Sequence, residues 1–295
     1  MVFAVFVIVF CFCGCTQVDA TIPACALRGI GGIEIDGFDF VEMIRGEEAV
    51  RVEISLLSLN GMKLFGYEKG RVLPNYDGEP VIADVYVLKD CEGEESCSYL
   101  VVEGNFGLFI KDITPEGISS MWDELYVCNI DSDAQDEIIV HQLVGSAGGA
   151  GSYKARIFKV IGNEIEELYC FDNEKMLYTG FFGRLKNGYV VEIRNSFTGK
   201  KHKLDMSGEE RYEGVLFDAD GKVIKNSGWG VMCDSFCEFS PNDIDGDGIY
   251  EIVCKQYVSL YSHSDGLGLA ESVLRFDEGS QSFEVIDSDF HAWDD

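Results

Sequence analysis

A stretch of about 40 residues occurs twice in this chain, and that repetition restricts the fold more than any other feature of it. Asn129-Ile-Asp131-Ser-Asp133-Ala-Gln135-Asp-Glu137-Ile-Ile aligns with Asp243-Ile-Asp245-Gly-Asp247-Gly-Ile249-Tyr-Glu251-Ile-Val, 114 residues further on. Each copy runs through a strand-like segment, His141-Gln142 against Lys255-Gln256, into a Gly- or Ser-rich loop, Gly145–Gly151 and Ser262–Gly268. A further strand and hairpin follow, Ala155–Leu168 against Glu271–Val285, turning at Gly162-Asn163 and Glu278-Gly279. A fainter third copy begins at Asp90-Cys91-Glu92-Gly93-Glu94, 39 residues before Asn129, although a charged hairpin turn explains it equally well. Three steps of 38 residues make the offset of 114, and a period near 40 is what a four-stranded propeller blade needs.

The rest of the chain agrees with short strands. Arg51–Leu57, Val81–Lys89, Tyr99–Glu103, Glu137–Leu143, Tyr153–Ile161 and Glu251–Tyr257 are runs rich in β-branched and aromatic residues, bounded by turn signals. Lys186-Asn187-Gly188 before Tyr189–Ile193, and Asp218-Ala219-Asp220-Gly221 before Lys222–Ile224, read as hairpin turns, since Asn or Asp before Gly tolerates positive φ. With 33 glycines against five prolines, the composition favours many turns and few long helices. The expected fold is all-β, a propeller-like arrangement of short antiparallel sheets, with a β-sandwich as the alternative. Residues 1–20 read as an export segment, 21–50 as an N-terminal segment or linker, and 51–295 as the repeat domain. One short helix is expected around Phe38–Arg45.

The repeated block carries chemistry. Asp243, Asp245 and Asp247 alternate, Gly248 follows, and Glu251 holds the ninth position. If the loop wraps, these carboxylates converge, and the carbonyl of Ile249 adds another oxygen. Hard oxygen ligands on a flexible loop suit Ca²⁺, whereas Mg²⁺ wants stricter octahedral geometry. Two carboxylates about 5 Å apart repel by roughly 3 kcal/mol at an effective dielectric near 20, so three or four together call for a cation. An EF-hand does not fit, because its twelfth loop position demands Glu and here holds Cys254. The bland alternative is a pair of solvated acidic turns.

The pattern D-x-D-x-D-G-x-x-E followed by Ile-Val resembles the FG-GAP/VCBS repeats, which also occur in integrin alpha chains. The resemblance implies a loop joining two strands of a propeller blade, with Ca²⁺ held by Asp243, Asp245, Asp247 and Glu251 and by the backbone oxygen of Ile249. In the first copy it carries onto Asn129, Asp131, Asp133 and Glu137, with Gln135 as the carbonyl. That copy departs twice, with Asn for the first Asp and Ala134 for the glycine that eases the turn, so weaker binding or none is expected there. In such a propeller Ca²⁺ stiffens loops and does not catalyse. The resemblance covers two blocks, and residues 1–75 lie outside it.

Other chemistries find little support. Gly145–Gly151 lacks the Lys-Ser/Thr of a phosphate loop and precedes a strand, not a helix. No G-x-S-x-G elbow, HExxH helix or Cys/His constellation occurs. His141 and His263 fit packing or surface roles better than ligation, with His263 near Asp265 the more interesting. Trp122, Trp229 and Trp293 fit packing better than sugar stacking. A net charge of −29 repels nucleic-acid phosphate and anionic lipid headgroups.

Residues 1–13 (MVFAVFVIVFCFC) are unbroken apolar, too short for a comfortable membrane span but suited to the core of an export signal. Phe12-Cys13-Gly14-Cys15 resembles a bacterial lipobox, which makes Cys15 the lipidated residue and the membrane the site of attachment. Cleavage after Val18-Asp19-Ala20 with free secretion, and an uncleaved anchor, are the alternatives. All three place the protein outside the cytoplasm. Eight of the 11 cysteines follow residue 15, an even number that suggests disulfides there, with Cys91–Cys97 and Cys233–Cys237 the nearest pairs. Buried free thiols are the other reading.

Together these features predict a non-catalytic surface protein that binds or adheres to an extracellular protein or glycan. A propeller-scaffold glycosidase or lyase, with paired acids recognisable only by geometry, is the first rival. A protein-binding envelope assembly or regulatory factor is the second.

Overall fold

A computed structural model describes residues 62–293 except 76–77, 91–96, 106, 116–119, 148–149, 172–178 and 225–229. Before residue 62 it describes only residues 7–8, 19–20, 39–45 and 48–54. The described chain is all-β, with a turn of 3-10 helix at Glu210–Tyr212. Strands β1 (Val7–Ile8) and β2 (Asp19–Ala20) form a short antiparallel pair. No helix among the described residues is long and apolar enough to cross a membrane.

Four larger sheets follow in chain order. The first contains β3 (Asp39–Arg45), β4 (Glu48–Ile54), β5 (Met62–Pro74), β6 (Pro80–Asp90), β7 (Ser98–Gly104) and β8 (Gly107–Asp112) in the order β4-β3-β5-β6-β7-β8. The second is the meander β9 (Trp122–Cys128), β10 (Glu137–Ala147), β11 (Ala150–Ile161) and β12 (Glu164–Phe171). Three strands make the third, β13 (Phe181–Lys186), β14 (Val190–Asn195) and β15 (Lys201–Asp205). The last is the meander β16 (Val231–Asn242), β17 (Glu251–Leu260), β18 (Gly266–Asp277) and β19 (Ser282–Ala292). The two copies of the repeat are therefore the second and fourth sheets, and each acidic block joins the first strand of its sheet to the second.

Two compact units are distinguished. One holds Met1–Val127, Ala134–Ile138 and Phe158–Glu167; the other holds Cys128–Asp133, Ile139–Ile157 and Leu168–Asp295. In the first unit, β6 and β7 are buried over most of their length, which fits their near-continuous apolar runs. Leu64, Tyr86, Leu88, Tyr99 and Val101 form an apolar cluster there. In the second unit an apolar core draws on two sheets. Phe181, Val191, Ile193, Met206, Tyr212, Leu216 and Phe217 meet Val258, Leu260, Leu267, Ala270 and Phe290. Val191 and Ile193 share the face of β14 that enters the core, Glu192 between them is buried as well, and β15 alternates exposed with half-buried residues. The two sheets approach closely where β13 meets β16, since a Cβ on Gly183 would stand 2.2 Å from Val231.

Both expected hairpin turns are present and touch each other. Asn187-Gly188-Tyr189 connects β13 to β14, with Gly188 at φ 88° and Tyr189 at φ 58°. The Tyr189 hydroxyl donates to the carbonyl of Asp218 or Ala219, at 3.1 and 3.0 Å, and Gly188 N–H donates to Gly221 O at 2.7 Å. These contacts hold a side chain in a backbone region normally left to glycine. Beyond Gly221 no full strand forms; Val223 makes an isolated bridge to Phe217.

Three local expectations are corrected. Asp39–Arg45 is a strand, not a helix, because it pairs along its whole length with β4 in an antiparallel register from Asp39–Ile54 to Arg45–Glu48. The Gly- and Ser-rich loops are shorter than expected: β10 runs to Ala147, β11 starts at Ala150, and β18 starts at Gly266. Cys233 and Cys237 are free thiols on one strand. Four residues of extended chain span about 13 Å, beyond the roughly 7 Å that a disulfide bridges. Burial pushes their thiols up to about 12 and about 11 respectively, which keeps them protonated. Cys91 lies outside the described residues, as do Cys15 and Trp229.

Candidate functional site

The loop between β16 and β17 begins with an aspartate that organises its own backbone. Asp243 accepts hydrogen bonds from Gly246 N–H at 2.7 Å and Gly248 N–H at 3.1 Å, one on each carboxylate oxygen. Asp247 accepts from Ile249 N–H at 2.8 Å. Gly246 and Gly248 both take positive φ, 78° and 87°, which explains the glycines of the motif. The wrapped loop brings carboxylate oxygens of Asp243, Asp245 and Asp247 within 4.8 Å of one another.

Glu251, the ninth position, is used differently. It is buried, accepts Ile244 N–H at 3.2 Å, and receives Arg275 Nε at 2.7 Å. Arg275 comes from β18 and reaches Asp245 as well, at 2.9 Å. Its guanidinium is held above its usual range, first by the hydrogen bond to Glu251. Coulomb repulsion in the loop is thus offset by Arg275 and by backbone N–H groups, which lets the carboxylates converge. Glu251 stands outside the aspartate trio and anchors the loop to the sheet.

The first loop repeats the plan with changes. Asp131 and Asp133 stand where Asp245 and Asp247 stand in the second loop. Asp131 accepts Asp133 N–H at 3.2 Å. Ser132 takes φ 62° where the second loop has Gly246, but no positive φ occurs at Ala134, the counterpart of Gly248. A Cβ there disfavours the left-handed turn, so the two loops diverge at this residue. Asn129 turns its amide onto the carbonyl of Asp133, leaving its own Oδ1 buried without a hydrogen-bond partner. The Gln135 side chain donates to the carbonyls of Val72 and Val160, each at 2.8 Å. Glu137 is fully buried and paired with Lys159 of β11.

Lys159 and Arg275 are the residues that reading the motif alone misses. Aligning Ala155 with Glu271 places Lys159 opposite Arg275, so a basic residue recurring in the third strand of each repeat was the available signal. In both copies it neutralises the ninth-position glutamate.

Within the second unit the two loops border one cleft. Tyr250 N–H donates to Asn129 O at 2.8 Å, and Ser132 Oγ reaches Glu278 in the β18–β19 turn. The cleft, about 320 Å³, is lined among others by Asp131, Asp247, Glu251, Asp277, Glu278 and Arg275. Five acids against one base make it attractive to a cation and hostile to an anion.

The histidines have other work. His141 is buried, with Nε2 2.8 Å from the Phe236 carbonyl and its ring stacked on Tyr153 at 5.1 Å. His263 pairs with Asp234 at 3.0 Å, while Asp265 binds Tyr212 and Arg211. Trp293 packs edge-on against Tyr257 with centroids 5.0 Å apart.

The YybI C-terminal domain family matches residues 180–291, which is the stretch from β13 almost to the end of β19. The uncharacterized protein YybI of Bacillus subtilis (strain 168) is 24% identical over 157 residues, covering 52% of this chain and 56% of the relative. The chain therefore spans about half the length of the curated relative it matches. No solved structure matches it.

Proposed function

We propose that this protein is a non-catalytic, exported surface protein whose FG-GAP/VCBS-type repeats form blades of a β-propeller, stiffened by Ca²⁺ and serving to bind or adhere to an extracellular protein or glycan. The observation that carries this reading is the equivalence of the two acidic loops, each joining the first and second strands of a four-stranded meander. The metal ligands in this reading are Asp243, Asp245 and Asp247 with the carbonyl of Ile249, and Glu251 acts mainly as the loop's anchor through Arg275. Asn129, Asp131, Asp133, Gln135 and Glu137 form the weaker counterpart. Asparagine has replaced one formal charge there, and the Glu137 carboxylate is taken by Lys159.

Calcium titration followed by thermal unfolding tests the site. Extracellular modules bind Ca²⁺ with dissociation constants of about 10⁻⁴–10⁻³ M. At roughly 1 mM Ca²⁺ and a constant near 10⁻⁴ M, linkage stabilises by about 1.4 kcal/mol. The expected rise in melting temperature is about 3–5 °C, reversed by a chelator. Asp245→Ala should abolish this response while leaving the fold, and Asp131→Ala should change it little. A melting curve that ignores calcium, chelator and Asp245→Ala alike reduces the loop to a turn.

The same reading attaches the protein to a membrane through lipid on Cys15. Acyl chains supply the affinity that an acidic body lacks. Cys15→Ala should move the protein from the membrane fraction into the soluble fraction. Retention on membranes would show that the apolar segment anchors by itself, or that attachment has another cause.

A further inference from the structure

Away from the acidic loops, β6 and β9 bring together a lysine and an aspartate that water does not reach. Lys89 Nζ lies 2.9 Å from Asp123 Oδ2, and the two side chains are 2% and 0% exposed. Neither oxygen of Asp123 accepts a hydrogen bond, so the ammonium sits against the carboxylate without directed hydrogen-bond geometry. Lys89 donates instead to the carbonyl of Ser120 at 3.0 Å. The Phe65 ring closes one side, with its centroid 4.1 Å from Nζ. Buried Ser98 and Ser120 stand nearby, their hydroxyls 3.2 Å apart. Both residues belong to the first compact unit.

Burying a carboxylate with neither oxygen hydrogen-bonded is costly, and an ion pair compensates well only when the remaining lone pairs are satisfied. One reaction removes both charges with no reagent from outside. We infer that Lys89 and Asp123 condense into an intramolecular amide, a covalent cross-link between the first and second sheets. The ammonium first passes a proton to the carboxylate. The free amine then attacks Cγ of Asp123; the Nζ–Cγ bond forms and one Cγ–Oδ bond breaks. The departing oxygen leaves as water, carrying the proton received from the ammonium and a second proton from the amine nitrogen. One cation and one anion become a neutral amide and water, so atoms and charge balance.

The surroundings favour each part of this step. Fixed, touching groups react with a large effective concentration relative to free ones. The Ser120 carbonyl holds one N–H of Lys89, which remains as the amide N–H, and leaves the nitrogen's other side toward Asp123. Exclusion of water protects the product from hydrolysis. The cross-link closes the chain between residues 89 and 123 and so restricts the unfolded state as a disulfide does, without depending on redox conditions. It depends neither on calcium nor on where the protein resides.

Peptide mapping of the folded, reduced and alkylated protein tests this directly. Trypsin should fail to cut after Lys89. The peptide carrying Lys89 should appear joined to the one carrying Asp123, at the sum of their masses less one water. Lys89→Arg, which keeps the cation but lacks the amine, should return the Asp123 peptide as a linear fragment and melt at a lower temperature. On a denaturing gel the wild-type chain should migrate faster than this variant. Linear peptides of full mass from the wild-type protein, with ordinary cleavage after Lys89, would overturn the inference and leave a simple buried ion pair. That measurement stands even if the variant fails to fold.

Discussion

Glu137→Ala should destabilise the protein by about 3–5 kcal/mol, with or without calcium, because removing one member of a buried ion pair leaves the other in a site made for two. Glu137 is fully buried and Lys159 is 7% exposed, so neither charge can recover its hydration without local unfolding. Against a total stability of about 5–15 kcal/mol this is a large fraction. Urea unfolding in calcium and in chelator should give the same loss. Replacing both partners, Glu137→Leu with Lys159→Met, should recover much of it, since matched apolar side chains avoid the uncompensated charge. Glu251→Ala should cost less, because Arg275 is half exposed and returns to water. A Glu137→Ala variant of normal stability would contradict the role given to Lys159.

Phe217→Ala should remove about 3–5 kcal/mol from the second unit, the usual cost of emptying a fully packed aromatic site. Phe217 is completely buried and lies against Tyr189 with ring centroids 5.5 Å apart. It belongs to the core in which β13–β15 and their following loop meet β17, β18 and β19. The expected fall in melting temperature is roughly 6–20 °C, at about 2–4 °C for each kcal/mol. Phe197→Ala makes the control, since that ring is 62% exposed and its loss should change stability little. Equal effects of the two substitutions would mean that the core does not hold this unit together.

The strands were legible wherever burial follows the chain's own period. Val81–Lys89, Tyr99–Glu103 and Glu251–Tyr257 lie inside β6, β7 and β17, because β-branched and aromatic runs between turn residues have few other ways to bury themselves. The hairpin at Asn187-Gly188 was legible for the same local reason. Asp39–Arg45 was not, since its choice between helix and strand lay with Glu48–Ile54, a partner that intrinsic preference does not reveal. Cys233 and Cys237 do not pair because proximity along the chain becomes distance once β16 is extended.

In the acidic loops, the residue types and their spacing alone determined that Asp243, Asp245 and Asp247 would converge, because alternate aspartates with glycines at the positive-φ positions wrap by local geometry. The repeat likewise determined that a second loop would occupy the same place in its sheet. Only the tertiary structure decided which carboxylates a basic side chain from another strand compensates. Glu137 and Glu251 belong to the same motif, yet Lys159 and Arg275, brought by the third strand of each sheet, take both. The reason is physical: spacing places groups joined by a few bonds, whereas charge compensation in a buried site depends on whatever the fold carries across from another strand. Lys89 and Asp123 follow the same rule, with nothing in the sequence around either one to announce the other.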